Sequence, residues 1–272
     1  MSVLSRLRSL LPAARRYLGQ RRYLDAGRPA SVLAGGNPVR EVRLTVKGRN
    51  VVLQADESLD LLIMVREVFV ERHYCPPDLP FEIRPNDVVF DIGANVGAFA
   101  LLAAVYTTNK VVALEPVPSN YELLRRNVSN NGMRNVHLMR VAVSDQPKTV
   151  EMLLFDGEMF GCRIPSPHVD RCGQDLKTIE VDCIPLAQAM EAQDVDRIDF
   201  LKLDCEGEEF AILRALEPAI LDGIRVIALE YHDNLGRGLS GGLARQLAER
   251  GFTVRIRRQD TALGYLYAWR DS

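Results

Sequence analysis

Residues 88–99, VVFDIGANVGAF, decide the fold of this chain. An apolar run ends at Asp91, the chain turns through two glycines, and a second apolar run follows with helical spacing, which predicts a strand, a tight loop and a helix. Gly93 and Gly97 allow the backbone to approach a bound molecule closely and to adopt dihedral angles that a side chain would forbid. The predicted helix offers unpaired N–H groups and the positive end of its dipole to a ligand.

This loop could hold the pyrophosphate of a dinucleotide, but it differs from the Gly-x-Gly-x-x-Gly pattern. Asn95 occupies the position of the second glycine, which restricts the close approach that a pyrophosphate requires. Asp91, directly before the turn, would repel a diphosphate and attract an ammonium group. The methionine part of S-adenosylmethionine (SAM) is a zwitterion and suits this loop better. A strand–helix turn that binds no ligand is the alternative.

Length and composition limit the possible classes of protein. The 272 residues can form one large α/β domain with an extension, and 47% apolar residues are enough for a sizeable core. A net charge of −2 gives no reason to expect affinity for nucleic acid. The five cysteines form no Cys-x-x-Cys pair, which argues against a zinc site or a disulfide framework and for a reducing, cytoplasmic location.

Residues 1–38 form a basic N-terminal segment and a linker. Residues 1–24 contain six arginines, no acidic residue and leucines at roughly helical spacing, and a Gly- and Pro-rich stretch follows. A basic amphipathic helix can make peripheral contact with an anionic membrane surface or pack on a partner. An organelle transit sequence is a second interpretation, and a solvated helix that packs on the domain through its leucines is a third.

Residues 39–85 predict an α+β extension before the main domain. Alternating apolar residues on either side of Gly48 are typical of a hairpin, and residues 59–72 have the spacing of an amphipathic helix. We expect this extension, together with the irregular loop at residues 156–175, to form a lid or to bind the acceptor substrate. Four residues of that region are candidates to line the acceptor cleft: Phe155, Phe160, Arg163 and His168.

Residues 86–272 predict an α/β domain with a mostly parallel, Rossmann-like sheet covered on both faces, because strand and helix patterns alternate. The predicted strands are 87–92, 110–115, 135–143, 198–204 and 224–230, and the predicted helices are 96–106, 118–131, 184–192, 206–216 and 239–250. Two further strands, 252–258 and 264–269, are too close together for a helical crossover and should form an antiparallel hairpin at the sheet edge. This arrangement is typical of class I methyltransferases.

Several residues after the predicted strands are candidates to bind a nucleoside. Glu115 ends the second strand of the domain and can accept hydrogen bonds from both ribose hydroxyls, whether the cofactor is NAD or SAM. Asn120, at the start of the next helix, could contact the adenine, although it could equally cap that helix. Ala142 and Val143, at the end of the third strand, should lie against the adenine ring.

The fourth and fifth strands end in acidic residues that should face the same crevice, because open α/β sheets bind ligands at the carboxyl ends of their strands. Asp204 and Glu206 follow the fourth strand, and Glu230 and His232 end the fifth. Asp204 is also a candidate cofactor contact. These four oxygen and imidazole groups could instead bind Mg²⁺ or a similar ion, which would acidify a bound hydroxyl.

These motifs together resemble the FkbM family of SAM-dependent methyltransferases. The matching elements are DIGANVG (91–97), EPVPSN (115–120), LKLDCEGEE (201–209) and the strand that closes on Glu230. The resemblance extends from about residue 86 to 230 and includes the helix that precedes Tyr74. The first motif marks most class I methyltransferases, and its combination with the other two is more specific. The resemblance implies O-methylation of a hydroxyl on a sugar, glycolipid or polyketide-type product.

Such a reaction needs a group that takes the proton of the acceptor hydroxyl. Histidine titrates near neutral pH, and His232 is the histidine predicted at a strand end on the active rim. His73 precedes the domain, His137 lies inside a strand, and Asp204 or Glu206 could serve instead. An NAD-dependent oxidoreductase and a non-catalytic SAM-binding module are the competing interpretations. Asn95 and the C-terminal hairpin argue against the oxidoreductase.

Overall fold

A computed structural model of the chain describes residues 41–55, 58–154, 177–205, 207–232, 239–259 and 263–270, without the side chains of 58–60, 232 and 239. Several predicted features lie outside these residues. They are the basic N-terminal segment, the loop at 156–175, the four candidate acceptor residues, Glu206 and the side chain of His232. The expectations for them therefore stay predictions. No helix in the described ranges is long and apolar enough to cross a membrane.

The core of the domain is a seven-stranded sheet of the class I methyltransferase type, as predicted. Its strands are β3 (Val89–Ile92), β4 (Val111–Leu114), β5 (Val136–Met139), β9 (Phe200–Leu203), β10 (Val226–His232), β11 (Thr253–Arg258) and β12 (Leu263–Trp269). Their order is β11-β12-β10-β9-β3-β4-β5, and β12 runs antiparallel to both of its neighbours. Every residue of β3, β4 and β9 is buried, as expected for parallel strands covered on both faces.

Helices cover both faces of this sheet. They are α2 (Ala98–Tyr106), α3 (Pro118–Asn130), α4 (Leu186–Ala192), α5 (Glu209–Ala215), α6 (Pro218–Gly223) and α7 (Leu239–Glu249), which follow α1 of the N-terminal extension. One core contains α2, α3 and the N-terminal extension, and the other contains residues of α4 to α7. The predicted helices are all present, with ends that differ by up to three residues. The short helix α6 was not predicted, although Pro218 at its first turn is a typical start signal.

The predicted third strand, 135–143, is wrong as a single element. It divides into β5 of the main sheet and β6 (Ala142–Val143), which joins a separate sheet with β7 (Lys148–Leu154) and β8 (Lys177–Ile184) in the order β6-β8-β7. Strand β8 was not predicted, although its apolar residues Ile179, Val181 and Cys183 alternate with polar ones.

The N-terminal extension is built on the predicted hairpin and helix. Strands β1 (Glu41–Val46) and β2 (Arg49–Gln54) pair in antiparallel orientation across a turn at Lys47 and Gly48, which both have positive φ. Helix α1 (Ser58–Met64) continues as a π-helical segment over Val65–Val70 instead of as a regular α-helix. The buried Asn127 side chain of α3 donates to the Gln54 carbonyl and accepts from the Gln54 N–H, each at 2.9 Å, which attaches the hairpin to the domain.

Candidate active site

A cleft opens at the carboxyl ends of β3, β4 and β9, where the sequence predicted the site. It encloses about 990 Å³, including its open mouth. Its wall includes the predicted residues Gly93, Asn95, Glu115, Asn120, Ala142, Val143 and Asp204. Two other predicted residues, Asp91 and Gly97, are absent from that wall. A concave cleft that combines apolar residues with a few polar groups is the usual form of a small-molecule site.

The glycines of the β3–α2 loop are required by contacts within the protein. Gly93 has a φ of 73°, and a Cβ atom there would lie 1.8 Å from the carbonyl oxygen of Asp204. Gly97 has a φ of 92°, and a Cβ atom there would lie 2.5 Å from Cδ1 of Leu124. We expected both glycines to make room for a ligand. Both glycines allow this loop to pack against the end of β9 and against α3, and their expected contact with a ligand stays a prediction.

Glu115 is held in a fixed orientation by two backbone N–H groups. The N–H of Asn95 donates to Oε2 and the N–H of Val117 donates to Oε1, each at 2.9 Å. Burial raises the pKa of Glu115 to about 7, although these two N–H groups and the Asn120 side chain oppose the rise. Each carboxylate oxygen has a further lone pair, so both can still accept a hydroxyl proton from a ligand.

One side of the cleft beyond Glu115 is apolar. Ala142 and Val143 line it from β6, and Met152 lines it from β7. All three residues are buried and belong to the small sheet, not to the main one. A flat apolar ring such as adenine can pack against such a surface.

Asp91 is fully buried and pairs with Lys202, its partner in the register of β3 and β9. The Nζ atom of Lys202 lies 3.0 Å from Oδ1 of Asp91 and donates to the Gly93 carbonyl at 2.7 Å. Burial would lower the pKa of Lys202, but Asp91 and Asp204 raise it above its usual value. Asp91 therefore has an internal ion-pair partner, and Lys202 lines the cleft. The expected contact of Asp91 with a ligand ammonium group stays a prediction.

Lys202 could have been found from the sequence. A single lysine in the otherwise apolar run Phe200–Leu203 is a charge in a predicted buried strand, and a buried charge requires a partner. Its partner could not be identified in this way, because the register of two strands more than a hundred residues apart is set by the tertiary structure.

Tyr74 brings two of the predicted acidic residues together. Its hydroxyl donates to Oδ2 of Asp204 at 2.8 Å and lies 3.4 Å from Oε2 of Glu230. Burial raises the pKa of Tyr74 well above its usual value, and the charges of Asp204 and Glu230 add to this effect. In the described part of the chain, no three His, Cys, Asp or Glu residues are grouped as ligands for a metal ion. Glu206 and the His232 side chain are outside that part, so the metal site is untested.

His73 lies nearer to this rim than its position in the sequence suggested. Its Nδ1 atom is 2.8 Å from the hydroxyl of Tyr265, which faces Glu230 across the β10–β12 pair. Its Nε2 atom is 2.8 Å from Glu71, and burial lowers the pKa of His73 despite that carboxylate. His73 borders a separate depression and does not line the main cleft.

Glu67 is a further cleft residue that the sequence analysis missed. It lies in the π-helical segment and lines the cleft together with Met64 and Val68. Burial raises its pKa to about 7; Arg66 opposes the rise, and Asp204 and Glu71 add to it. A helix-face analysis alone gives no reason to choose this acid among those of residues 58–72.

The sheet order, the glycine loop and the acid after β4 define a class I, SAM-dependent methyltransferase. A family model described as the methyltransferase FkbM domain matches residues 91–265. The chain belongs to this family, as the sequence motifs predicted.

Two curated relatives illustrate the family. The chain is 29% identical over 222 residues to the 31-O-demethyl-FK506 methyltransferase FkbM of Streptomyces tacrolimicus, an alignment that covers 72% of this chain and 83% of that protein. It is 24% identical over 151 residues to the hexuronic acid methyltransferase AglP of Haloferax volcanii, with 56% and 58% of the two chains covered. Among solved structures, the methyltransferase FkbM of Methylobacillus flagellatus KT is 17% identical with a TM-score of 0.49, over 70% of this chain and 45% of that one.

Proposed function

We propose that this protein transfers the methyl group of SAM to a hydroxyl group of a small sugar-type or polyketide-type molecule. The observation that carries the proposal is the orientation of Glu115 by two backbone N–H groups at the end of β4, inside the cleft. The names of the relatives support the acceptor class, since one acts on a demethylated FK506 and another on a hexuronic acid.

The cofactor site follows from the wall of the cleft. Glu115 accepts hydrogen bonds from the ribose hydroxyls, and Asn120 borders the same region. Ala142 and Val143 pack against the adenine ring. The loop that contains Gly93 and Asn95 lies along the methionine part, with Asp204 at its far end. In this arrangement Asp91 and Gly97 act indirectly, through Lys202 and through the packing of α2 against α3.

The reaction is an in-line displacement at the methyl carbon. A bond forms between the acceptor oxygen and the methyl carbon, the bond from that carbon to sulfur breaks, and its electron pair stays on sulfur. The protein holds the acceptor oxygen opposite the sulfur and excludes water, which converts an encounter in solution into a reaction between oriented groups. His232, Asp204 and Glu206 are the sequence-derived candidates to take the hydroxyl proton.

A metal ion bound by Asp204, Glu206, Glu230 and His232 is the alternative means of acidifying the hydroxyl. It is tested by turnover in EDTA. Activity that is lost in EDTA and restored by a divalent ion supports the metal, and activity that is unaffected contradicts it.

The decisive experiment is incubation with methyl-labelled SAM and a panel of sugars, glycolipids and macrolide-like alcohols. We expect label on a hydroxyl oxygen of at least one acceptor and an equal amount of S-adenosylhomocysteine. Binding of SAM with no label transferred to any member of the panel would contradict the proposed reaction. Binding of NAD in preference to SAM would contradict the proposed cofactor.

A further inference from the structure

We propose that the Glu67 carboxylate lies at the methyl-transfer end of the cleft and accepts the proton that the acceptor hydroxyl loses. This inference rests on the proposed function. As the acceptor oxygen bonds to the methyl carbon and the carbon–sulfur bond breaks, the proton passes to a Glu67 oxygen. The products are the methyl ether, S-adenosylhomocysteine and a neutral Glu67.

The order of the strands indicates how the cofactor is oriented in the cleft. Across the sheet the order is β5, β4, β3 and β9. With adenine at Ala142 and Val143 and ribose at the end of β4, the sulfonium must lie toward the ends of β3 and β9. Asp204 follows β9 and accepts a hydrogen bond at 2.8 Å from Tyr74, which lines the cleft from the N-terminal extension together with Glu67. Glu67 therefore belongs to the sulfonium end and not to the adenine end.

The π-helical segment places Glu67 there. Met64, Glu67 and Val68 line the cleft from one face, so an acidic residue is held between two apolar ones. Single turns of π-helix inside α-helices are frequent at functional sites, because the wider turn changes which side chains share a face. The side chain of Glu67 is 26% exposed, which leaves it accessible to a ligand from the cleft.

The interactions of Glu67 leave it able to accept a proton. Its Oε1 atom lies 3.6 Å from the Arg66 guanidinium, which makes a long ion pair. The same guanidinium lies 3.4 Å from Oε2 of Glu71, so Arg66 is shared between the two carboxylates. The charged and titratable groups around it are Arg66 and Glu71 from its own segment, Asp204 from the end of β9 and Tyr265 from β12. A bound sulfonium adds a positive charge, which favours the carboxylate form of Glu67 before the reaction.

Asp204 is less suited to this role. Its Oδ2 atom already accepts a hydrogen bond from Tyr74 at 2.8 Å and lies 3.7 Å from the Lys202 ammonium group. Oδ2 of Asp204 is therefore already engaged within the protein and has less free capacity to accept a proton from a ligand. Asp204 is therefore a positioning residue in this scheme, and Glu67 is the proton acceptor.

Cofactor analogues test the location of Glu67 without an identified acceptor. Sinefungin carries an amine where SAM carries its methylated sulfonium, whereas S-adenosylhomocysteine has no charge at that position. In Glu67→Gln, we expect sinefungin to lose about ten- to hundredfold in affinity, as for loss of a hydrogen bond between charged groups, and S-adenosylhomocysteine to lose little. Glu71→Gln, four residues away and outside the main cleft, should bind both analogues as the unsubstituted protein does.

The same experiment has outcomes that overturn the inference. An equal loss for both analogues would place Glu67 at the amino group of the methionine part, and no loss for either would place it away from the cofactor. If neither the unsubstituted protein nor Glu71→Gln binds either analogue, the proposed function itself fails. If Glu67→Gln binds both analogues weakly and its unfolding curve equals that of Glu71→Gln, misfolding does not explain the loss and the inference is contradicted.

The acceptor found in the labelling experiment then tests the proton transfer. The unsubstituted protein should show a rise in kcat/KM as pH increases through about 7, because the carboxylate is the active form. Glu67→Gln should lose about a hundredfold or more in kcat and lose this rise, with SAM still bound. Retention of the rise in Glu67→Gln, together with its loss in His232→Asn, would assign the proton transfer to His232 and overturn the inference.

Discussion

Glu115 shows how one residue serves both the fold and the site. Its two oxygens accept N–H groups from the loop after β3 and from the start of α3, so the carboxylate joins two elements that border the cleft. It is only 4% exposed, and a buried carboxylate is tolerated because both of its oxygens have donors. The position that the sequence predicted as a ribose contact therefore also orders the loop that borders the cleft.

Replacement of Glu115 by Gln should weaken SAM binding by about tenfold or more. The amide keeps the shape of the side chain, but it loses the charge and can accept at only one of its two terminal atoms. The dissociation constant of SAM can be measured by calorimetry. Glu122→Gln is the control and should bind SAM normally, because this side chain of α3 is 47% exposed and does not line the cleft. Equal affinity in all three proteins would remove Glu115 from the cofactor site.

The Asp91–Lys202 pair is an ion pair buried inside the sheet. The two side chains are 0% and 4% exposed, so each needs the other to remain charged. The lysine also donates to the Gly93 carbonyl, which connects the centre of the sheet to the cofactor loop.

Lys202→Met should destabilise the fold by about 3–5 kcal/mol, because it leaves the Asp91 charge buried and unpaired. The double variant Asp91→Asn with Lys202→Met should be more stable than Lys202→Met alone, because the unpaired charge is gone. Urea denaturation measures both effects as a double-mutant cycle. Additive losses in the double variant would mean that the two side chains do not depend on each other.

At the scale of elements, the loop between β3 and α2 is fixed by the close approach of two backbones. Gly93 faces the Asp204 carbonyl, so the loops after two neighbouring parallel strands touch directly. The hairpin β1–β2 is attached in a similar way, since the Asn127 side chain bonds to the backbone of both Gln54 and Val96. Backbone contacts of this kind fix the relative positions of the elements that form the cleft.

Gly93→Ala should be strongly destabilising, by more than about 4 kcal/mol, because the added methyl group would meet a backbone oxygen that cannot move alone. Gly132→Ala is a matched control. That glycine also has a positive φ, 59°, but a Cβ atom there meets nothing within 4 Å, so only the conformational cost of about 1–2 kcal/mol remains. Thermal unfolding compares the two variants, and equal losses would show that the contact with Asp204 is unimportant.

At the scale of the whole molecule, the sheet separates two cores, and only one of them includes the N-terminal extension. The extension shares its core with α2 and α3 and supplies Met64, Glu67, Val68 and Tyr74 to the cleft. The cleft is therefore assembled from both the extension and the domain. Unfolding of the whole protein therefore exposes the cleft residues of both parts to water together.

The free energy of unfolding of the whole protein should depend on pH, because burial raises the pKa of Glu115. Its pKa is about 7 in the folded protein and has the ordinary value of 4.5 in the unfolded chain. The stabilisation from its protonated form is therefore complete below pH 4.5 and is lost as pH rises through 7. Relative to Glu115→Gln, the free energy of unfolding should fall by about 3 kcal/mol between pH 4.5 and 8.

Urea denaturation at several pH values checks this difference. Glu122→Gln should follow the unsubstituted protein over the same range, because that exposed carboxylate titrates below pH 4.5. A constant difference between Glu115→Gln and the unsubstituted protein would show that Glu115 titrates at its ordinary pKa in the folded state.

The sequence alone determined the fold class, the family and several residues of the cleft wall, because those properties are encoded locally. A strand, a glycine loop and an acid at the end of the next strand lie within 30 residues of one another, and their periodicity and spacing can be read directly. The prediction of a single long strand at 135–143 was wrong, because the periodicity of apolar residues does not show which sheet a strand joins.

Only the tertiary structure decided which side chains meet in the cleft. Asp91 pairs with Lys202, and Tyr74 joins Asp204 to Glu230. Glu67 lines the same cleft as Asp204, and each of these pairings spans more than a hundred residues along the chain. These contacts depend on strand register and on how the extension packs against α2 and α3. Packing of that kind is a property of the whole core, so no local pattern of residues encodes it.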